Sequence, residues 1–200
     1  PREETLARAI DELMQEHRVI EGVLGALETF AHGVRAGGAA ERRTVADFAT
    51  FLRDFADRCH HGKEEDRLFV AMTARGFPAD RGPIAVMLAE HVEGREHVQA
   101  LAALGAGSGP LADDERAALA DHALAYAPLL RAHIMKEDHV LYPMALQALP
   151  AAEMERLATE FAAFEAEVVG PERHAALHAL AQSLAAAYPP PPPGGRARPS

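Results

Sequence analysis

His60, Lys63 and Glu64, in the stretch His60-His61-Gly62-Lys63-Glu64-Glu65-Asp66-Arg67-Leu68-Phe69, recur as His133, Lys136 and Glu137 in His133-Ile134-Met135-Lys136-Glu137-Asp138-His139-Val140-Leu141-Tyr142. Laid over each other, the two stretches read His-x-x-Lys-Glu-acid-x-x-Leu-aromatic. In each, a His and a Glu stand at i and i+4, which on an α-helix places both on one face, a turn apart and aimed at the same partner. That is a chelating arrangement, and imidazole with carboxylate is a donor set suited to iron.

The elements that must carry these groups are helices. Alanine and leucine crowd the chain, β-branched residues are sparse and no alternating polar and apolar run appears, so strands have little support. From Glu3 to about Arg35, Leu6, Ile10, Leu13, Ile20, Leu24, Leu27, Ala31 and Val34 step by threes and fours, with His17 filling the gap in the stripe. Gly37-Gly38 then suits a helix C-terminus. A second helix, about Arg42 to Ala74, leads through Val45, Phe48, Leu52 and Phe55 into His60 and Glu64. A third, about Pro83 to Leu104, places His91 seven after Ile84 and seven before Val98, and the Gly105–Pro110 stretch interrupts the chain. A fourth, about Asp113 to Leu146 and capped by Asp113 or Asp114, carries His133 and Glu137 in line with Leu130 and Leu141.

Four such helices on short connections are expected to close as an antiparallel up-down-up-down four-helix bundle in an all-α chain. The expected organisation is a bundle over residues 1–148, a C-terminal helical extension over 149–188, and a disordered Pro-rich tail over 189–200.

The formal net charge of -10 argues against a nucleic-acid partner. No apolar run approaches the roughly 18 residues that span a bilayer, so no membrane partner is expected. The single cysteine, Cys59, allows no internal disulfide, and no leader pattern stands at the N-terminus. A cytoplasmic location is the simplest expectation, and the sequence is silent on oligomeric state.

Burying a polar side chain without a partner costs roughly 1 to 3 kcal/mol, and an ionised carboxylate more. His17, His60, Glu64, His91, His133 and Glu137 all fall on stripes that face the bundle axis, so something must compensate them. A pair of iron ions does so directly, since bundles hold paired metals through carboxylates on facing helices.

With these residues in place, roughly residues 5 to 148 resemble the hemerythrin family, specifically the bacterial hemerythrin-like or HHE domains. The resemblance rests on the two His-x-x-Lys-Glu motifs and the lone His17 and His91. It implies a non-haem di-iron site (Fe2+/Fe3+) in which Glu64 and Glu137 bridge the metals and the histidines are terminal ligands. Oxygen carriers of that family take a second His four residues on in the third helix, where this chain has Arg95, and His61 is expected to make good the loss. Carriers also place an Asp five after the fourth helix's His. Asp138 has that spacing, but Glu137 lies about 40° from His133 around the helix rather than about 140° and is preferred.

Of the remaining candidates, Glu21, Glu90 and Tyr126 could accept or meet the far ring nitrogen of a ligand histidine. His174 with His178 reads as a solvated face, and His32, His97, His122 and His139 as surface or outer-layer residues. Cys59 reads as a small apolar filler, Leu141 and Tyr142 as packing, and the other acids of the two motifs as helix-surface charges. The expected function is binding of, or reaction with, O2, NO or hydrogen peroxide, with peroxide decomposition among the possible activities. Two alternatives compete with it: a metal-free helical interaction module using the Pro-rich tail, and an iron store.

Overall fold

A computed structural model describes residues 8–190, and among these helix is the only regular secondary structure. Helix α1 is Arg8–Arg35. Helix α2 begins as Arg42–Phe51, passes through π-helical turns at Leu52–His61 and Glu64–Leu68, and ends as Phe69–Ala74. Helix α3 is Gly82–Ala106. Helix α4 runs from Asp113–Lys136 through a π-helical turn at Glu137–Leu141 to Tyr142–Ala148. Helices α5, Ala151–Val168, and α6, Pro171–Ala187, follow. Of the tail expected over 189–200, residues 191–200 lie outside the described residues.

Helix α2 packs on α3, α3 on α4, and α4 on α1, while α6 lies against α1 and the first half of α2, and α5 against α1 and the motif-bearing part of α2. The periodic stripes explain this: Leu13, Ile20, Leu24 and Leu27 of α1, Phe48 and Phe55 of α2, and Leu119 and Leu130 of α4 are all buried. The extension is part of the same core, because Leu177, Ala181 and Leu184 of α6 join the cluster around Phe30, Phe48 and Leu27.

The buried apolar residues form two clusters. One gathers Ile20, Leu24, Phe48, Phe55, Leu101 and Leu130. The other gathers Ile10, Leu13, Leu68, Met87, Leu141 and Phe161. His17, His60, His61, Glu64, His91 and Glu137 occupy chain positions between the two sets, His133 stands between Leu130 and Ile134 of the first, and all seven are buried. The polar layer is therefore sealed by hydrocarbon above and below.

Two details depart from the sequence expectation. Neither Asp113 nor Asp114 caps α4; Ala112 takes the cap position, and its backbone N–H donates to the Glu115 carboxylate at 2.9 Å. Gly105 does not break α3 but lies inside it, because the backbone of α2 comes so close that a Cβ there would sit 2.7 Å from the Ala46 nitrogen. Gly37, at φ 89°, does close α1, its N–H donating to the Val34 carbonyl at 3.0 Å.

Candidate metal centre

The π-helical turns fall where the motifs do. A π turn holds one residue more than an α turn, so His60 and His61, neighbours that an ideal α-helix would splay about 100° apart, are both turned inward and buried. The second π turn of α2 starts at Glu64 and that of α4 at Glu137, the two motif carboxylates.

The structure brings all seven candidate residues together in two interlocking groups. Donor atoms of His17, His60, Glu64 and Glu137 lie within 4.8 Å of one another, and so do those of His61, Glu64, His91 and His133. Glu64 belongs to both groups. Glu137 touches both as well, with one oxygen 3.3 Å from His17 Nε2 and the other 3.1 Å from His133 Nε2.

Every one of the five imidazoles turns its Nδ1 outward to a carboxylate. His17 meets Asp138 at 2.7 Å, His60 meets Glu16 at 2.8 Å, His91 meets Glu65 at 2.7 Å, His133 meets Glu90 at 2.9 Å, and His61 meets Asp57 at 3.4 Å. A carboxylate accepts, so each Nδ1 carries a proton, and a ring that is otherwise neutral then presents a lone pair at Nε2. The Nε2 atoms of His91 and His133 face each other at 3.0 Å. His60 Nε2, Glu64 Oε2 and both Glu137 oxygens are buried without a hydrogen-bonding partner. Converging lone pairs and anionic oxygens in a dry layer repel one another unless a cation lies among them, so the donor set fits a metal.

The titration behaviour has the same origin. Burial, reinforced by the neighbouring histidines, pushes His60 down to about 4 and His61 well down, and burial lowers His91 despite Glu65. Burial opposes protonation of His17 and His133 too, but Asp138 and Glu137 outweigh it at the first and Glu137 and Glu90 at the second, so both rise. Burial and the Glu137 charge push Glu64 far up, while at Glu137 the His133 and His17 rings overcome burial and hold it low. Neutral imidazole is the ligand form, and three of the five rings are held there.

Of the three residues expected to orient the ring nitrogens, only Glu90 does so. Glu21 pairs with Arg18 at 3.0 Å, and Tyr126 is buried beside Gly94 and the His97 ring. Glu65 and Asp138 are not free surface charges, for each holds a histidine of the centre. Tyr142 does more than pack: its hydroxyl donates to Glu64 Oε1 at 2.7 Å and lies 3.3 Å from His17 Nε2. The signal missed in the sequence was the Lys of the repeat. Lys63 binds the same Glu16 that holds His60, and Lys136 the same Glu90 that holds His133. Each motif thus contributes a ligand candidate and the cation that steadies that candidate's support.

Elsewhere, His32 and His139 are exposed, while half-buried His97 and His122 face each other through Nδ1 at 3.1 Å. His174 and His178 are not a solvated face; both are half-buried, with rings 5.7 Å and 5.1 Å from Phe55. His174, Cys59, Glu16 and Glu165 also approach within 4.8 Å, but the Lys63 ammonium already serves Glu16 and lies 3.8 Å from Glu165. Burial pushes the Cys59 thiol up to about 12, which leaves it a buried filler.

Three curated relatives are each 24% identical over 161 residues: Rv1995 and MT2051 of Mycobacterium tuberculosis and Mb2018 of Mycobacterium bovis, all described as uncharacterized proteins. The match takes in 80% of this chain and 62% of each relative, so the chain spans under two thirds of their length. No solved structure matches it. The Hemerythrin HHE cation binding domain profile matches residues 8–145, the segment that carries α1 to α4 and every inward donor described above. The chain belongs to the hemerythrin HHE cation-binding domain family.

Proposed function

We propose that the chain holds two non-haem iron ions between its four long helices, arranged as an antiparallel up-down-up-down bundle over residues 1–148, and uses them to bind or react with O2, NO or hydrogen peroxide. His17 and His60 would hold one ion, His61, His91 and His133 the other, with Glu64 and Glu137 shared. The observation that carries the reading is the convergence of ring Nε2 atoms on two buried carboxylates, with His60 Nε2, Glu64 Oε2 and both Glu137 oxygens left without a hydrogen-bond partner. Nitrogen and oxygen donors without thiolate favour iron over a structural zinc site.

Iron so held supplies one-electron exchange with a small oxidant. The chain's own residues do the rest. The two apolar clusters keep bulk water and large reductants out of the layer. The Tyr142 hydroxyl donates a hydrogen bond to Glu64 Oε1, which fixes that carboxylate's orientation. Only a molecule of a few atoms suits so closed a centre, in keeping with a diatomic gas or a peroxide. A metal-free interaction module would leave His60 Nε2, Glu64 Oε2 and both Glu137 oxygens unpartnered in a dry core, and nothing in the geometry favours it.

Elemental analysis tests the reading. About two irons per chain are expected in the parent, and none after Glu64 and Glu137 are both changed to Ala. Chelation should lower the melting temperature by about 10 °C, from a binding contribution of about 4 kcal/mol at a metal concentration 1,000 times Kd and about 2–4 °C per kcal/mol for a chain of this size. Absence of metal in the parent, with a melt indifferent to chelator, would overturn it. With iron bound, peroxide-dependent O2 evolution marks an enzyme, and a reversible optical change with O2 or NO without turnover marks a binder.

A further inference from the structure

The carboxylates that orient the five imidazoles are themselves held by cations. Lys63 binds Glu16, Lys136 binds Glu90, and Arg18 binds Asp138. The remaining two, Asp57 and Glu65, share one cation. Arg95 donates through Nε to Asp57 Oδ1 at 2.8 Å and through Nη2 to Glu65 Oε1 at 2.7 Å. The Glu65 oxygen it meets is the one that accepts from His91 Nδ1.

The two histidines behind Arg95 belong to the same end of the centre. His61 and His91 stack at 3.9 Å between ring centroids, inclined by 16°, and both lie in the group with His133 and Glu64. Neither belongs to the group of His17 and His60. The Asp57–His61 contact, at 3.4 Å, is the loosest of the five.

We propose that Arg95 is a positioning residue that sets metal affinity at the His61–His91–His133 end alone. A guanidinium can do this because its planar fork presents donors in two directions at fixed angles, whereas an ammonium is a point charge that satisfies one carboxylate well. Without it, Asp57 and Glu65, both partly exposed, are like charges that turn toward water, and two rings lose their outer anchor together. The guanidinium is one-third exposed, so its loss opens no core cavity and the fold survives. The inference rests on the paired-metal reading.

The test is a titration of metal-free protein with Co2+, whose visible absorption reports nitrogen and oxygen coordination, alongside the melt of the metal-free form. Wild type should take up two equivalents. Arg95→Met should take up the first unchanged and the second about 10–100-fold more weakly, the usual cost of losing an outer partner of a ligand. Arg95→Lys should fall between the two. His17→Gln should weaken the other equivalent, and the double variant both. Two equivalents bound by Arg95→Met as in wild type would overturn the inference and leave the metal reading standing. Loss of both, or a metal-free form that melts well below wild type, would make Arg95 a structural residue and equally overturn it. Fewer than two equivalents in wild type would remove the metal reading itself.

Discussion

Lys63 and Lys136 occupy the same place in the two motifs and make the same kind of contact, yet their surroundings differ. Lys63 is fully buried between Glu12 and Glu16, with the Phe161 ring 5.7 Å from its ammonium, whereas the Lys136 side chain is 36% exposed. Burial opposes the Lys63 charge, but the Glu16 carboxylate outweighs it and raises the pKa; in return Glu16, despite its own burial, is held down to about 2 by His60 and Lys63. Removing one partner of a buried pair costs about 3–5 kcal/mol, against roughly 0–1 for an exposed one. Lys63→Met should therefore cost several times more stability than Lys136→Met in urea unfolding; equal losses would contradict the contrast in burial.

At the scale of elements, the helices approach closely only where residues permit it. Gly105 admits the α2 backbone at Ala46, where a Cβ would meet atoms 2.7 and 2.8 Å away. Alanine favours an isolated helix over glycine by about 1 kcal/mol, but here the clash is with backbone, which cannot rotate aside. Gly105→Ala should destabilise by about 1–3 kcal/mol in chemical denaturation, the usual cost of overpacking. A gain in stability would mean that α2 and α3 do not touch there. The glycine was visible in the sequence; its reason was not, since a helix interior and a loop both accept glycine and only the neighbour distinguishes them.

For the molecule as a whole, the extension is tied to the four long helices by charge as well as by the apolar face of α6. Arg173 of α6 reaches Asp54 of α2 at 2.7 Å, and Arg53 joins at 2.8 Å. Burial would raise the Asp54 carboxyl, but the two arginines outweigh it and hold it below the usual range. The unfolded chain then takes up the proton first as pH falls, so the stability that Asp54 contributes is present above about pH 4 and is lost as pH drops through its lower folded value. Asp54→Asn should lower the melting temperature near neutral pH, with the difference from wild type shrinking below about pH 4. A constant difference across that range would show that the ion pair does not dock α6. No helix among the described residues is long and apolar enough to cross a membrane.

The sequence by itself determined the helices and the inward set of His17, His60, Glu64, His91, His133 and Glu137, because period and spacing are local properties that a helix converts directly into a face. The family could be read from the same residues, and the profile match over residues 8–145 agrees. Only the tertiary structure decided what stands behind them. Glu90 was one of three candidates between which the sequence could not choose. Glu16, Asp57, Glu65 and Asp138 are ordinary surface-type acids in the sequence, and Tyr142 an ordinary core aromatic; their partners lie 44, 4, 26, 121 and 78 residues away along the chain. His61 likewise turns inward through a π-helical turn that no spacing rule foretells. A ligand's face is set by its own helix, but for every ring except His61 the support comes from another helix, and that pairing exists only once the helices have packed.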